Sequence, residues 1–308
     1  MVVAPGTEIA GMRVLTHLGS GAASQLYLVQ DVKSKHVWTL KHIRKQTEKD
    51  QRFLDQADME YTVGSQVRHP SIRRVERVIK NRRVLRVTEM YLVMEFVDGL
   101  SLDRHPPKSF LEAANIFEQV SGGLYAFHQQ GYVHADMKPN NIIWTDEHLA
   151  KIIDLGQSCT IGTTKERIQG TIDYIAPEQV HRREITPATD TYNLGATMYW
   201  CLTGRHIPTA MSQRTGLGIA RDTDSLALPT PPVELVANLP VSLSELIMEM
   251  VQPDPKKRPG MQDVHHRLQV IHIRLQARGV EGTRFELGSY EQDHDEDGNA
   301  AGTARRAQ

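Results

Sequence analysis

The chain has 308 residues, 40% of them hydrophobic and 24% charged, with a formal net charge of −1. That composition excludes an intrinsically disordered chain, and the near-zero charge balance gives no footprint for a nucleic-acid or membrane partner. Two cysteines, Cys159 and Cys201, are too few and too far apart for a disulfide framework or a zinc site.

The length admits two compact units or one domain with two lobes. Residues 1–11 lack the basic start and apolar run of a signal peptide, and no uninterrupted apolar stretch reaches the ~18–20 residues that span a bilayer. The expectation is a cytoplasmic protein, although a piece of a longer membrane receptor would read the same way.

Residues 9–43 hold three short apolar runs, Met12–Leu15, Leu26–Val29 and Val37–Leu40, with Gly19-Ser-Gly-Ala-Ala-Ser24 between the first two. The pattern is strand, glycine turn, strand, strand. Such a turn can bring backbone N–H groups close to phosphates, because no side chain blocks the approach. Lys41 ends the third run. The stretch 50–67 places Phe53, Leu54, Ala57, Tyr61 and Val63 at helical spacing, carries Glu60, and stops before His69-Pro70.

Eight basic residues follow, Arg68, Arg73, Arg74, Arg77, Lys80, Arg82, Arg83 and Arg86, around an expected hairpin. A charge run of this kind reads first as a solvated face and second as a dock for an acidic partner, the chain's own acidic tail included. Met90–Val97 reads as a buried strand. Asp98-Gly99 and Pro106-Pro107 are breaks, so a lobe boundary is expected near 95–100. Phe110, Ala113, Ala114, Phe117, Val120, Leu124 and Phe127 then form one long core helix.

That helix leads to Tyr132-Val-His-Ala-Asp-Met-Lys-Pro-Asn-Asn-Ile-Ile143. Two short strands, Ile142–Trp144 and Ala150–Ile153, set Asp154 at a strand end, before Leu155-Gly156. Two carboxylates, an amide and a lysine in so short a span suit phosphoryl transfer: an Asp beside the attacking hydroxyl, a Lys beside the migrating group, and an Asn with a second Asp for a divalent cation. Residues 157–171 read as a mobile loop, closed by Gly170-Thr-Ile-Asp-Tyr-Ile-Ala-Pro-Glu178. Helices are expected over 190–202, 242–252 and 260–278, a proline-bearing loop over 205–240, and disorder from about 290. His265, His266 and His272 form no ligand pattern.

Taken together, these pieces resemble the eukaryotic-type (Hanks-type) serine/threonine protein kinase family over residues 9–275. Gly19-Ser-Gly21 resembles the glycine-rich loop, Lys41 the phosphate-pairing lysine, Glu60 its helix partner, and His134-Ala-Asp136 the catalytic His-Arg-Asp. Asp154-Leu-Gly156 resembles the metal-binding Asp-Phe-Gly, and Ala176-Pro-Glu178 ends the activation segment, with Arg258 matching the late arginine that pairs that Glu. The resemblance implies an α+β, bilobal fold: a small N-lobe (about 9–96) of antiparallel strands plus one helix, a larger, mainly helical C-lobe (about 98–275), and a tail over 276–308.

It also implies ATP between the lobes, bound by Leu18, Gly19, Ser20, Gly21, Leu26, Thr39, Lys41, Glu60, Met94, Glu95, Val97 and Ile143. Mg²⁺, or Mn²⁺ in its place, would be held by Asn141 and Asp154. Asp136 and Lys138 would be catalytic, and Glu178, Asp190 and Arg258 structural. The substrate would be a protein hydroxyl. Three positions depart from the family. Ala135 stands where an Arg usually receives an activation-loop phosphate, the non-RD pattern, which implies that this switch is not needed. Thr39 replaces an adenine-facing alanine. Gly64 replaces a large apolar residue, a gap of the kind that costs about 2–5 kcal/mol in a core. The alternatives are a pseudokinase that binds nucleotide or partners without catalysis, and a small-molecule kinase, which generally lacks the Ala-Pro-Glu segment and its arginine.

Overall fold

A computed structural model describes residues 2–21, 23–211 and 227–278. The expected disordered tail therefore lies outside the described residues, as do Ala22 in the glycine turn and residues 212–226 of the proline-bearing loop.

The N-terminal part is one antiparallel sheet. Its strands are β1 (Glu8–Ile9), β2 (Met12–Ser20), β3 (Ser24–Asp31), β4 (Val37–Arg44), β5 (Val75–Arg83) and β6 (Arg86–Glu95), in the order β1-β2-β3-β4-β6-β5. Alternation along the strands divides the side chains between two faces. Tyr27, Val29, Leu40 and Val93 pack on one. Leu26, Ile43, Met90, Leu92 and Met94 pack on the other, where helix α1 (Gln51–Gln66) buries Leu54 and Ala57 against them. Lys41 stands opposite Leu26 and Leu92, on the α1 side of the sheet.

The C-terminal part is built on α2 (Phe110–Gln129) and α4 (Pro187–Thr203). The Ser109 side chain caps α2 by accepting from the Glu112 N–H at 3.1 Å. α4 is buried along nearly its whole length and stops at Gly204, whose φ of 68° the left-handed cap requires. β7 (Leu100–Ser101), β9 (Ile142–Trp144) and β10 (Ala150–Ile152) make a small sheet beneath the cleft, and β8 (Tyr132–Val133) precedes the central loop. α3 (Pro177–Val180), α5 (Pro232–Leu235), α6 (Val241–Met250) and α7 (Met261–Arg278) complete the layer, α7 lying along α2. His265 and His272 serve that packing, contacting the Glu118 carbonyl and carboxylate at 2.9 and 2.5 Å. The fold is thus α+β and bilobal. Among the described residues no helix is long and apolar enough to cross a membrane.

Three expectations change. Residues 157–171 are pinned at two points: β11 (Cys159–Thr160) pairs with β8, and β12 (Thr163–Thr164) pairs with β13 (Glu184–Ile185). Strands of two residues leave no periodicity in the sequence. The basic hairpin is largely neutralised within the chain. Arg73 is buried beside Glu60, Arg74 pairs with Glu76, Arg77 with Asp31, Lys80 with Asp58 and Arg86 with Glu48.

Finally, Gly64 leaves no gap. A Cβ there would lie 2.3 Å from Val75 Cγ2 and 3.2 Å from Leu155 Cδ1, so those two side chains already occupy the space. Gly64→Leu should therefore lower the free energy of unfolding by about 2 kcal/mol or more through overpacking. Urea denaturation reads this directly, and a midpoint at or above that of the wild type would show an unfilled space.

Candidate active site

The site lies between the sheet and the α2 layer, and each of its side chains is delivered by a short rigid element. β4 carries Lys41 and α1 carries Glu60; their ion pair closes at 2.7 Å with Glu60 almost fully buried. Asp154, just after β10, reaches Lys41 from below at 3.4 Å. Arg73 approaches the other oxygen of Glu60, also at 3.4 Å, from a segment held by the Arg73 N–H to Ile152 carbonyl bond of 2.9 Å. Two cations and two carboxylates thus form one compact cluster.

Burial alone would push the Lys41 ammonium down, but Glu60 and then Asp154 outweigh it and hold the group above its ordinary value. Burial would likewise raise the Asp154 carboxyl. Lys41, Arg73, Lys138 and His134 outweigh that and hold it well below the usual carboxylate range, so it is an anion at neutral pH.

A second group forms around the central loop. Asp136 Oδ1 accepts from both the Thr171 N–H and the Thr171 hydroxyl at 3.0 Å, and Lys138 Nζ donates to the same hydroxyl at 2.9 Å. Lys138 Nζ is 3.6 Å from Asp136 Oδ2. A carboxylate and an ammonium thus converge on one hydroxyl oxygen, the arrangement that hydroxyl deprotonation beside a negatively charged acceptor needs. Asn141, in the 3₁₀ turn Pro139–Asn141, donates Nδ2 to the Asp136 carbonyl at 2.8 Å. Its Oδ1 is buried and has no hydrogen-bond partner among the described residues. An orphaned amide oxygen and an ionised Asp154 are hard oxygen donors, the chemistry a divalent cation takes; two protein ligands with phosphate oxygens and water completing the shell suit Mg²⁺.

The other residues expected to meet a nucleotide sit on or beside β2, β3, β4, β6 and β9. Thr39 lies beside Met94 in the β4–β6 register, and both are buried. Leu26 and Leu18 belong to the apolar face beneath the glycine turn, and Val97, Ile143 and Ile153 form a small apolar group at the cleft floor. The Glu95 carboxylate is occupied by Lys151 at 2.7 Å and the Arg74 N–H at 3.1 Å, so its side chain braces the strand end. In the glycine turn Ser20 Oγ donates to Gln25 at 2.8 Å, while the Gly21 N–H turns onto the Ser24 carbonyl at 2.8 Å.

Asp190 braces the central loop from α4. Its carboxylate accepts from the His134 N–H at 2.9 Å, the Ala135 N–H at 2.7 Å and His128 Nε2 at 2.8 Å. These bonds stabilise Ala135 at φ 61°, a conformation that L residues rarely adopt. Ala135 itself packs with Val133, Cys159 and Ile185 in an apolar group. Burial pushes the Cys159 thiol up. Glu178 and Arg258 form a buried two-point ion pair at 2.7 and 3.0 Å.

Sequence reasoning missed two residues of the site. Thr171 carried a signal, a Gly-Thr near the end of the segment, but its contact with Asp136 did not follow from it. Arg73 had none, because it stands in a run of arginines.

The chain matches the protein kinase domain family model over residues 12–268. It is 25% identical over 256 residues to a probable serine/threonine-protein kinase of Clostridium acetobutylicum, covering 80% of this chain and 37% of the relative. It is 27% identical over 263 residues to the serine/threonine-protein kinase PrkC of Bacillus subtilis, covering 82% and 39%. Identity to the serine/threonine-protein kinase PknA of Mycobacterium tuberculosis is 28% over 262 residues, covering 82% and 59%. The chain thus spans between 37% and 59% of the length of these relatives.

Burial would raise the Asp190 carboxyl, but the His128 hydrogen bond and charge, with His134, hold it below its ordinary value. A depressed carboxyl contributes stability that is present above its unfolded value, near 4, and is lost as pH falls below it. Asp190→Asn should cost about 3–5 kcal/mol at pH 7, and the gap should narrow below about pH 4 as the wild-type carboxylate protonates. Urea titrations across that range measure it. A gap independent of pH would assign the loss to shape and not to charge.

Proposed function

The chain belongs to the protein kinase domain family, and from that premise we propose that it is an enzyme that transfers the γ-phosphate of ATP to serine or threonine hydroxyls of other proteins. Residues 9–275 form the kinase domain in this reading, with the lobes meeting near residues 96–98. The observation that carries the reading is the closed Lys41–Glu60 pair facing an ionised Asp154.

Lys41 would hold the α- and β-phosphates, kept in position by Glu60. Adenine would lie against Thr39, Met94 and the backbone at Glu95–Val97. Asn141 and Asp154 would hold the Mg²⁺, which when bound supplies positive charge to the phosphate oxygens. The acceptor hydroxyl would take the place beside Asp136 and Lys138 now met by the Thr171 hydroxyl. As the new oxygen–phosphorus bond forms and the bond to the β-phosphate oxygen breaks, Asp136 accepts the hydroxyl proton, Lys138 offsets charge on the moving group, and ADP leaves.

The same reading has the enzyme ready without phosphorylation of its own loop. Ala135 offers no cation there, and its surroundings are apolar. The segment is held instead by the β11–β8 and β12–β13 pairings and by the bond from Lys165 Nζ to the Gln157 carbonyl at 2.7 Å. An acidic partner at the basic hairpin would meet Arg82 and Arg83, which form no ion pair among the described residues.

Incubation with ATP, Mg²⁺ and a generic basic protein, read by mass spectrometry, tests the proposal. The wild type should place phosphate on Ser or Thr, and Asp136→Asn should reduce the rate by roughly 10²–10⁴-fold. No phosphate from the wild type, with ATP still bound, would assign the chain to nucleotide binding alone. In the same assay the triple variant Thr160→Ala, Thr163→Ala, Thr164→Ala should stay within about twofold of the wild type, the size of a surface effect. Collapse to background would restore the loop switch.

A further inference from the structure

The basic hairpin ends in a tip that the chain leaves uncovered. β5 and β6 are joined by the two residues Val84 and Leu85, with Arg83 and Arg86 as the closing pair of the ladder. Val84 is 92% exposed and Leu85 87%, whereas no other large hydrophobic among the described residues exceeds 60%. Val84 also stands at φ 59°. A β-branched residue rarely takes that conformation, and two-residue hairpin loops ordinarily place Gly, Asn or Asp there.

Positive charge surrounds this tip. Arg82, Arg83 and Arg86 are all exposed, and Arg82 and Arg83 form no ion pair among the described residues. Arg86 reaches only Glu48, at 3.7 Å, with both side chains largely in water. Two other carboxylates of the hairpin's surroundings are taken: Lys80 holds Asp58, and Glu89 meets His42 and Asn81. Like charges set directly opposite on neighbouring strands repel, as Arg83 and Arg86 do, and an anion between them turns that repulsion into attraction. A solvated face accounts for the arginines but not for the apolar pair between them. Shape decides the kind of anion. A convex tip with two apolar side chains ahead of a cationic collar cannot close around a small ion. It fits the boundary of a bilayer, where apolar groups enter the acyl region and arginines stay among the headgroups.

We propose that the tip formed by Val84 and Leu85 inserts into the surface of an anionic phospholipid bilayer, with Arg82, Arg83 and Arg86 against the headgroup phosphates. The chain's net charge of −1 conceals such a site, because the cations that make it are local. β6 runs from Arg86 to Glu95, so the tip lies about 30 Å from the strand end beside the cleft. A bilayer there leaves the transfer centre open, and its binding does not depend on the centre's activity.

Co-sedimentation of the full chain with sucrose-loaded vesicles tests the assignment. Vesicles of phosphatidylcholine with phosphatidylserine should bind it at least about tenfold more tightly than phosphatidylcholine alone, since each arginine near an anionic surface contributes severalfold. The pair Val84→Asn, Leu85→Gly suits the turn, so it should weaken that binding at least about fivefold with a melting temperature equal to or above that of the wild type. Arg82→Ala, Arg83→Ala should lose the preference for phosphatidylserine, and the exposed pair Lys256→Ala, Lys257→Ala should keep it. Equal binding of the two vesicle types, or full binding by Val84→Asn, Leu85→Gly, overturns the proposal. Polyglutamate that strips the chain from the vesicles at equal charge concentration assigns the tip to an acidic protein and overturns a lipid ligand. A wild-type dimer that Val84→Asn, Leu85→Gly makes monomeric assigns it to a second copy, with the same consequence.

Discussion

Glu60 is the group on which the arrangement depends. It sits almost fully buried in α1 and offers one carboxylate oxygen to Lys41 and the other to Arg73. An ion taken out of water costs several kcal/mol even after relaxation, and removing one partner of a buried pair typically costs about 3–5 kcal/mol. The cluster holds because its charges balance: Lys41 and Arg73 against Glu60 and Asp154. It ties α1 to the sheet, to the segment before β5 and to the strand end that carries Asp154. Gly64 is part of the same device. With no side chain one turn after Glu60, Val75 comes into contact with the helix, and Arg73, two residues earlier, comes within reach of the carboxylate. The missing apolar side chain is replaced by the side chains of Val75 and Leu155 and by an ion pair.

The central loop is ordered by a different means. Asp190 accepts two backbone N–H groups and a histidine ring, and so fixes Ala135 in the left-handed region and aims Asp136 at the hydroxyl of Thr171. Ala135 then turns into an apolar group shared with Cys159 and Ile185. Packing and two short strand pairings position the segment that follows Asp154.

Much of this was legible in the sequence, and the reason is local. Lys41 on a strand, Asp136 and Asn141 five residues apart, and Asp154 after a strand are features of short segments, and spacing carries them. What escaped depends on packing between distant segments. Arg73 belongs to a run of arginines, and a charge run reads as a solvated face; only the fold shows that this one points inward. Gly64 read as a void because sequence shows a missing side chain but not the neighbour that fills its place. Thr171 lies 35 residues from Asp136, and no local rule joins them. The strands that pin residues 159–164 are too short to show a period of two.

Arg73, through Glu60, keeps α1 docked with Lys41 in place. Hydrogen–deuterium exchange on the wild type and Arg73→Met, without nucleotide, measures it most directly. Amides across Gln51–Gln66 should exchange at least about tenfold faster in the variant, equivalent to about 1.4 kcal/mol or more, while Phe110–Gln129 keeps its protection. Unchanged protection of α1 in Arg73→Met would contradict it, and would leave the Lys41–Glu60 pair and apolar packing as sufficient to hold the helix.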